Sequence, residues 1–143
     1  MEKGTDYIGV AVAFYCHDGN GNYLFHKRSE VCRDEQGRWD CGGGGVKFNE
    51  KVEDALHREI LEEFNVEPLD VEFMGVDEVF REHNDKPTHW IDFRYRVLVD
   101  REKVVNNEPD KHVEIGWFKL NDLPSPLHSQ IPHELVKYKD ILI

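Results

Sequence analysis

The segment Val52 to Phe64 constrains this chain more than any other part of it. Its apolar residues fall at 52, 55, 56, 60 and 64, the spacing of one face of an α-helix. Asn65 follows where a left-handed C-terminal residue is wanted, and four glycines, Gly42 to Gly45, come before it. On such a helix Glu59, Glu62 and Glu63 stand at i, i+3 and i+4, so three carboxylates share one narrow face. They lie in the last turns, where the helix macrodipole disfavours each anion by about 0.3–1 kcal/mol and like charges at i,i+4 add a similar penalty. Val52, Ala55 and Leu56 occupy the earlier turns of that face, so the carboxylates are expected at the edge of the packed interior. A solvated acidic face is the plain alternative in a chain with 29 Asp and Glu; hard divalent cations such as Mg2+ or Mn2+, which take oxygen ligands, are the other.

Strand signals surround this helix. Tyr7 to Cys16 is rich in β-branched and aromatic residues, and Asp18-Gly19 and Asn20-Gly21 lead into Tyr23-Leu24-Phe25, which predicts a hairpin. Ser29 to Gly45 is polar and glycine-rich with Trp39 as its large anchor, the composition of a loop. Val71 to Val76 and Trp90 to Val99 read as strands, joined by a polar link from Arg81 to Thr88, and Ile115 to Leu120 as a further short strand. A closing helix is expected from about Pro132 to Ile141, with Leu135, Tyr138 and Ile141 or Leu142 facing inward.

At 143 residues the chain is expected to form one domain. The net charge of -11 repels nucleic-acid polymers and anionic lipid surfaces, which leaves small anionic ligands whose charge metal ions offset. No apolar run approaches the length of a membrane span, and the opening Met-Glu-Lys-Gly-Thr-Asp lacks a secretory apolar segment, so the cytoplasm is the expected address. Cys16, Cys32 and Cys41 are odd in number and unpaired in spacing, which predicts reduced thiols.

The spacing around the helix adds a resemblance. Gly44, five residues, Glu50, seven residues, Arg58-Glu59, Ile60, Glu62-Glu63 and Val66 closely resemble the Nudix box, the signature of hydrolases acting on nucleoside diphosphates linked to another group. The resemblance implies an α+β fold, an α/β/α sandwich with a mixed β-sheet between helices. It implies that Glu59, Glu62 and Glu63 ligate Mg2+ or Mn2+ with the Gly43 carbonyl as a further ligand, and that Arg58 pairs with Glu50. The implied reaction is in-line attack of an activated water on phosphorus in a small nucleotide. Departures are Asn65 for the second signature glycine, Asn49 before the first glutamate and Gly42 where relatives often have proline. Four glycines in a row predict an unusually free loop.

Family members often recruit another acid from a later loop. Glu114, three residues before Trp117, resembles that feature most, and Glu108 is second. Outside the box, Lys27, Arg28 and Lys47 are candidates to meet phosphate, and Trp39, Phe80, His83 and Trp90 to stack on a base or sugar. His128, in the polar segment Leu127 to Gln130, is a candidate to overlie the pocket. Two rival readings share the fold: an isopentenyl-diphosphate-isomerase-like enzyme using Cys41, and a catalytically silent nucleotide sensor. Substrate identity stays open, and the expected assembly is a monomer or homodimer.

Overall fold

Strand β1 (Gly9–His17) organises the molecule because both of its faces are apolar. Val12, Phe14 and Cys16 point into one core and Ala13 and Tyr15 into another, all of them buried. The computed structural model describes residues 1–143. In it β1 runs parallel to β6 (Lys86–Leu98), in register from Gly9 opposite Trp90 to His17 opposite Leu98. Strand β5 (Asp70–His83) lies antiparallel on the far side of β6. Strand β2 (Asn22–Arg28) meets β1 only at the hairpin end, His17 opposite Tyr23, and β4 (Gly42–Gly45) takes over that edge of β1 from Phe14 to Ala11. Strands β3 (Trp39–Asp40) and β7 (His112–Lys119) both pair with β2. The sheet is therefore mixed, in the order β3-β2-β1-β6-β5 with β4 on β1 and β7 on β2.

Helix α1 (Val52–Phe64) covers one face, packing Ala55, Leu56, Ile60 and Phe64 against Val12, Phe14 and Leu24. Helices α2 (Ile131–Lys137) and α3 (Lys139–Leu142) cover the other, where Ile131, Tyr138 and Leu142 meet Tyr15, Tyr23, Phe25 and Trp39. This is the expected α/β/α sandwich. Ile60 and Phe14 are fully buried, and truncating either to Ala would cost about 2–5 kcal/mol.

The local signals act as anticipated at two places. Asn65 ends α1 at φ 52°, ψ 40°, with its N–H donating to the Leu61 carbonyl at 2.9 Å. Gly19 and Gly21 carry φ of 83° and 85° in the β1–β2 turn, which the Asp18 carboxylate holds by accepting the Asn20 N–H at 2.8 Å.

Four expectations need correction. The polar stretch from Ser29 to Gly45 is not all loop, since β3 and β4 lie within it. Its four glycines are not a free segment: none of them has a left-handed φ, and a Cβ on Gly42 would fall 1.9 Å from the Phe14 ring. They permit close approach of backbones, not loose motion. The polar link Arg81–Thr88 is the tip of the β5–β6 hairpin, turned by Asn84 and Asp85 at φ 52° and 63°. The closing helix begins at Ile131 and is interrupted at Tyr138, whose φ of -108° and ψ of 22° break the helical run. No helix is long and apolar enough to cross a membrane.

Candidate active site

The parting of β2 from β1 leaves a cleft of about 610 Å³ beneath the C-terminal half of α1. Gly43, Glu59, Glu62, Glu63 and Glu108 line one side of it. Glu63 is 4% exposed and its Oε2 accepts the Gly43 N–H at 3.2 Å. Glu59 is partly buried above β4, and Glu62 is exposed. Burial, reinforced by the Glu59 charge, pushes the Glu63 carboxyl well above the usual carboxylate range. Burial also raises Glu59, against the pull of Arg58.

Arg58 ties the cluster to the loop before the helix. Its Nε and Nη2 donate to the two oxygens of Glu50 at 2.7 and 2.9 Å, and Nη2 also reaches the Gly45 carbonyl at 2.9 Å. Nη1 donates to Glu59 at 2.7 Å and lies 3.3 Å from Glu62. The Arg58 hydrogen bonds, helped by the Lys47 N–H, bring the Glu50 carboxyl down to about 2. Asn49 takes a left-handed φ of 66° just before Glu50. The five box side chains and Gly43 are thus brought together.

The segment before β7 completes this side. The Asn107 N–H donates to the Glu63 carbonyl at 2.9 Å, and its side chain to the Glu62 carbonyl at 3.0 Å. These bonds occupy carbonyls that the helix end leaves free, and they carry Glu108 to the cleft. Glu114, ranked first from its distance to Trp117, is exposed opposite Lys27 in the β2–β7 pair and does not line the cleft.

The other candidates divide. Arg28, His83, Trp90 and His128 line the cleft. Arg28 is already engaged, 3.1 Å from Asp34 and 3.7 Å from Asp40. His128 is held in place by its N–H on the Trp39 carbonyl at 2.8 Å, and its Nε2 lies 3.4 Å from Arg81. Trp90 packs across Gly9, where a Cβ would come within 2.5 Å of its ring. Trp39 is 7% exposed and set edge-on to Phe118, a core position. Lys47 is exposed, and with Lys27 and Phe80 it lies outside the cleft lining.

Sequence reasoning missed two groups. His26 and His112, each at most 4% exposed, stack at 3.8 Å beside Glu63, with His112 Nε2 3.4 Å from Glu63 Oε1. Burial lowers the pKa of both, His112 to about 4. Deeper in, Arg94 is held by Glu134 at 2.9 Å and Asp77 at 2.7 Å, and Tyr15 donates to Glu134 at 2.7 Å. The one available signal for His26 is its place two residues after buried Leu24, a polar side chain on an inward face.

The donor set suits a divalent cation. Glu63 has no lysine or arginine against it, only one backbone N–H and the His112 imidazole, and Glu59 and Glu62 share a single arginine. Glu59, Glu62, Glu63 and Gly43 offer the oxygen ligands that Mg2+ or Mn2+ takes.

Comparison with known proteins places the fold and the family. An RNA pyrophosphohydrolase of Teredinibacter turnerae is 35% identical over 72 residues, a match spanning half of this chain and 40% of that protein. The structure of a MutT NUDIX hydrolase from Burkholderia pseudomallei superposes with a TM-score of 0.77 at 29% identity, covering 95% of this chain and 96% of the other. The NUDIX domain of Shewanella oneidensis NrtR, complexed with ADP ribose, shares the fold at a TM-score of 0.72 and 18% identity, over 95% and 88% of the two chains. The family model for the NUDIX domain matches residues 8–138, and the chain belongs to that family.

Proposed function

We propose that the protein is a hydrolase dependent on Mg2+ or Mn2+ that cleaves a phosphoanhydride bond in a small nucleoside diphosphate-linked compound: a nucleoside triphosphate, a dinucleotide or a nucleotide sugar. The observation that carries this reading is Glu63, a carboxylate only 4% exposed, with no lysine or arginine partner and a second carboxylate, Glu59, as neighbour. An ionised carboxylate in that setting is costly, and a bound cation removes the cost.

Glu59, Glu62 and Glu63, with the Gly43 carbonyl, would hold the ion. When bound it neutralises phosphate oxygens and lowers the pKa of the attacking water. Arg58 keeps Glu59 and Glu62 aimed together and, through Glu50, locks α1 to the preceding loop. Glu108, carried to the cleft by Asn107, is the candidate to take the proton from water. Arg28 and His128 stand across the cleft, where the rest of the substrate lies, and Trp90 offers a ring to its base or sugar. Cys41 is 4% exposed, burial pushes its thiol far up, and its Sγ donates to the Gly42 carbonyl at 3.5 Å. A thiol so held stays protonated, which favours hydrolysis over cysteine-dependent isomerisation.

The test is a panel of nucleoside triphosphates, dinucleotides and nucleotide sugars with Mg2+ or Mn2+, with products identified by mass. Cleavage between phosphates that stops in excess EDTA is expected. Undiminished turnover in EDTA, or no cleavage of any compound in the panel, overturns the proposal.

A further inference from the structure

Three buried side chains from three elements converge beside the glutamate cluster: His26 of β2, His112 at the start of β7 and Glu63 of α1. A ring nitrogen of each histidine and a carboxylate oxygen of Glu63 all lie within 4.8 Å of one another. We propose that these residues form a nitrogen-donor extension of the metal site, so that the protein binds a divalent transition-metal ion through imidazole and prefers it to Mg2+.

Packing alone does not account for the two histidines. The rings lie against Phe64, at centroid distances of 6.3 and 5.7 Å, in an environment that a phenyl or aliphatic side chain would fill. Instead the Nδ1 atoms of both His26 and His112 are buried without a hydrogen-bond partner. A buried nitrogen left unpaired is destabilising, and native structures rarely keep two together without a use for them.

The chemistry of the set is specific. Neutral imidazole is a good ligand for Zn2+, Co2+ and related ions, whereas Mg2+ holds oxygen ligands and water. Glu63 belongs to both groups, since its Oε2 takes the Gly43 N–H while its Oε1 faces His112 Nε2. A ligand that joins the oxygen cluster to the two imidazoles lets one cleft accept either kind of ion with different ligand sets. The inference rests on the glutamate cluster being the metal site of the proposed hydrolase.

The experiment uses metal-free protein loaded with Mn2+ and examined by pulsed electron paramagnetic resonance, with 14N-histidine and 15N-histidine samples compared. Nuclear coupling from a directly bound imidazole nitrogen, changed by the isotope, is expected. Calorimetric titration with Co2+ and with Mg2+ should then show His112→Phe weakening Co2+ binding by about tenfold or more, with Mg2+ binding much less affected. Mn2+ bound without nitrogen coupling overturns the inference and leaves the oxygen-ligated hydrolase site standing. Failure of the parent to bind any of the three ions overturns both. The isotope comparison needs only the parent protein, so a variant that does not fold leaves the outcome decided.

Discussion

The carboxyl group of Glu59 occupies the space that a side chain on Gly44 would need. A Cβ built on Gly44 falls 2.1 Å from the Glu59 carboxyl carbon and 2.3 and 2.4 Å from its oxygens. Gly44→Ala is therefore expected to push this carboxylate aside. The displaced atoms are the far end of a flexible side chain, so the fold should survive with little change in melting temperature. Turnover should fall about a hundredfold, the usual consequence of moving a reacting group by an ångström. Parental kcat/KM in a folded Gly44→Ala protein would show that the position of Glu59 does not matter to catalysis.

Glu62→Gln and Glu63→Gln separate the site from its scaffold. Both remove charge from an anion-disfavouring helix end while nearly keeping shape, and at Glu63 the carboxyl is already raised by burial. Metal-free melting temperatures should equal or exceed the parental value, and turnover should drop by about a hundredfold or more. Added Mg2+ should raise the melting temperature of the parent more than that of either variant. A variant with parental turnover and parental metal response would reduce the glutamates to surface charge.

Cys41→Ser examines the buried thiol. With Cys41 assigned to packing beside Trp39, hydrolysis should stay within about tenfold of the parent, a barrier change under about 1.4 kcal/mol. Complete loss of activity in a protein with an unchanged circular dichroism spectrum would return the cysteine to the reaction.

Glu134 makes stability depend on pH. Burial raises its folded-state pKa to about 7, against the opposing pull of Arg94. A carboxyl raised on folding contributes stability that is full below the unfolded value, about 4.3, and is lost as pH climbs through the folded one. Glu134→Gln is neutral throughout, and its amide oxygen can still accept from Tyr15. Relative to the parent, the variant should gain up to about 3 kcal/mol between about pH 5 and about pH 8, measured by urea unfolding. A stability difference that does not vary with pH would mean that Glu134 keeps an ordinary pKa.

Much of the framework is legible in the sequence because its signals are local. The period of Val52 to Phe64 and the cap at Asn65 are decided within a few residues, as is the spacing that brings Arg58 to Glu50. The rest depends on long-range pairing. Arg81 to Thr88 carries no apolar alternation because much of the hairpin tip is solvent-exposed, so only its backbone ladder reveals the strands. Glu108 outranks Glu114 through the bonds of Asn107 to the end of α1, a contact invisible to linear distance from Trp117. His26, Glu63 and His112 meet only because β2 pairs with β7 under that same helix. The glycine run misleads for a related reason, since glycine signals freedom when alone and close approach when a neighbour such as Phe14 fills the space.

The parallel seam between β1 and β6 also sets the order of assembly. The β5–β6 arm joins residues adjacent across a two-residue turn, so it can close at small entropic cost. Strand β1 must instead find a partner far along the chain, with α1 and β5 among the elements between them. Such non-local closure slows folding. The seam sets Ala11–Ala13 beside Asp92 and Arg94, all of which line the cleft, so the cavity is complete only once this late contact is made. In a refolding time course, binding of the proposed nucleotide substrate should therefore emerge with the slowest phase, after the hairpin has already formed.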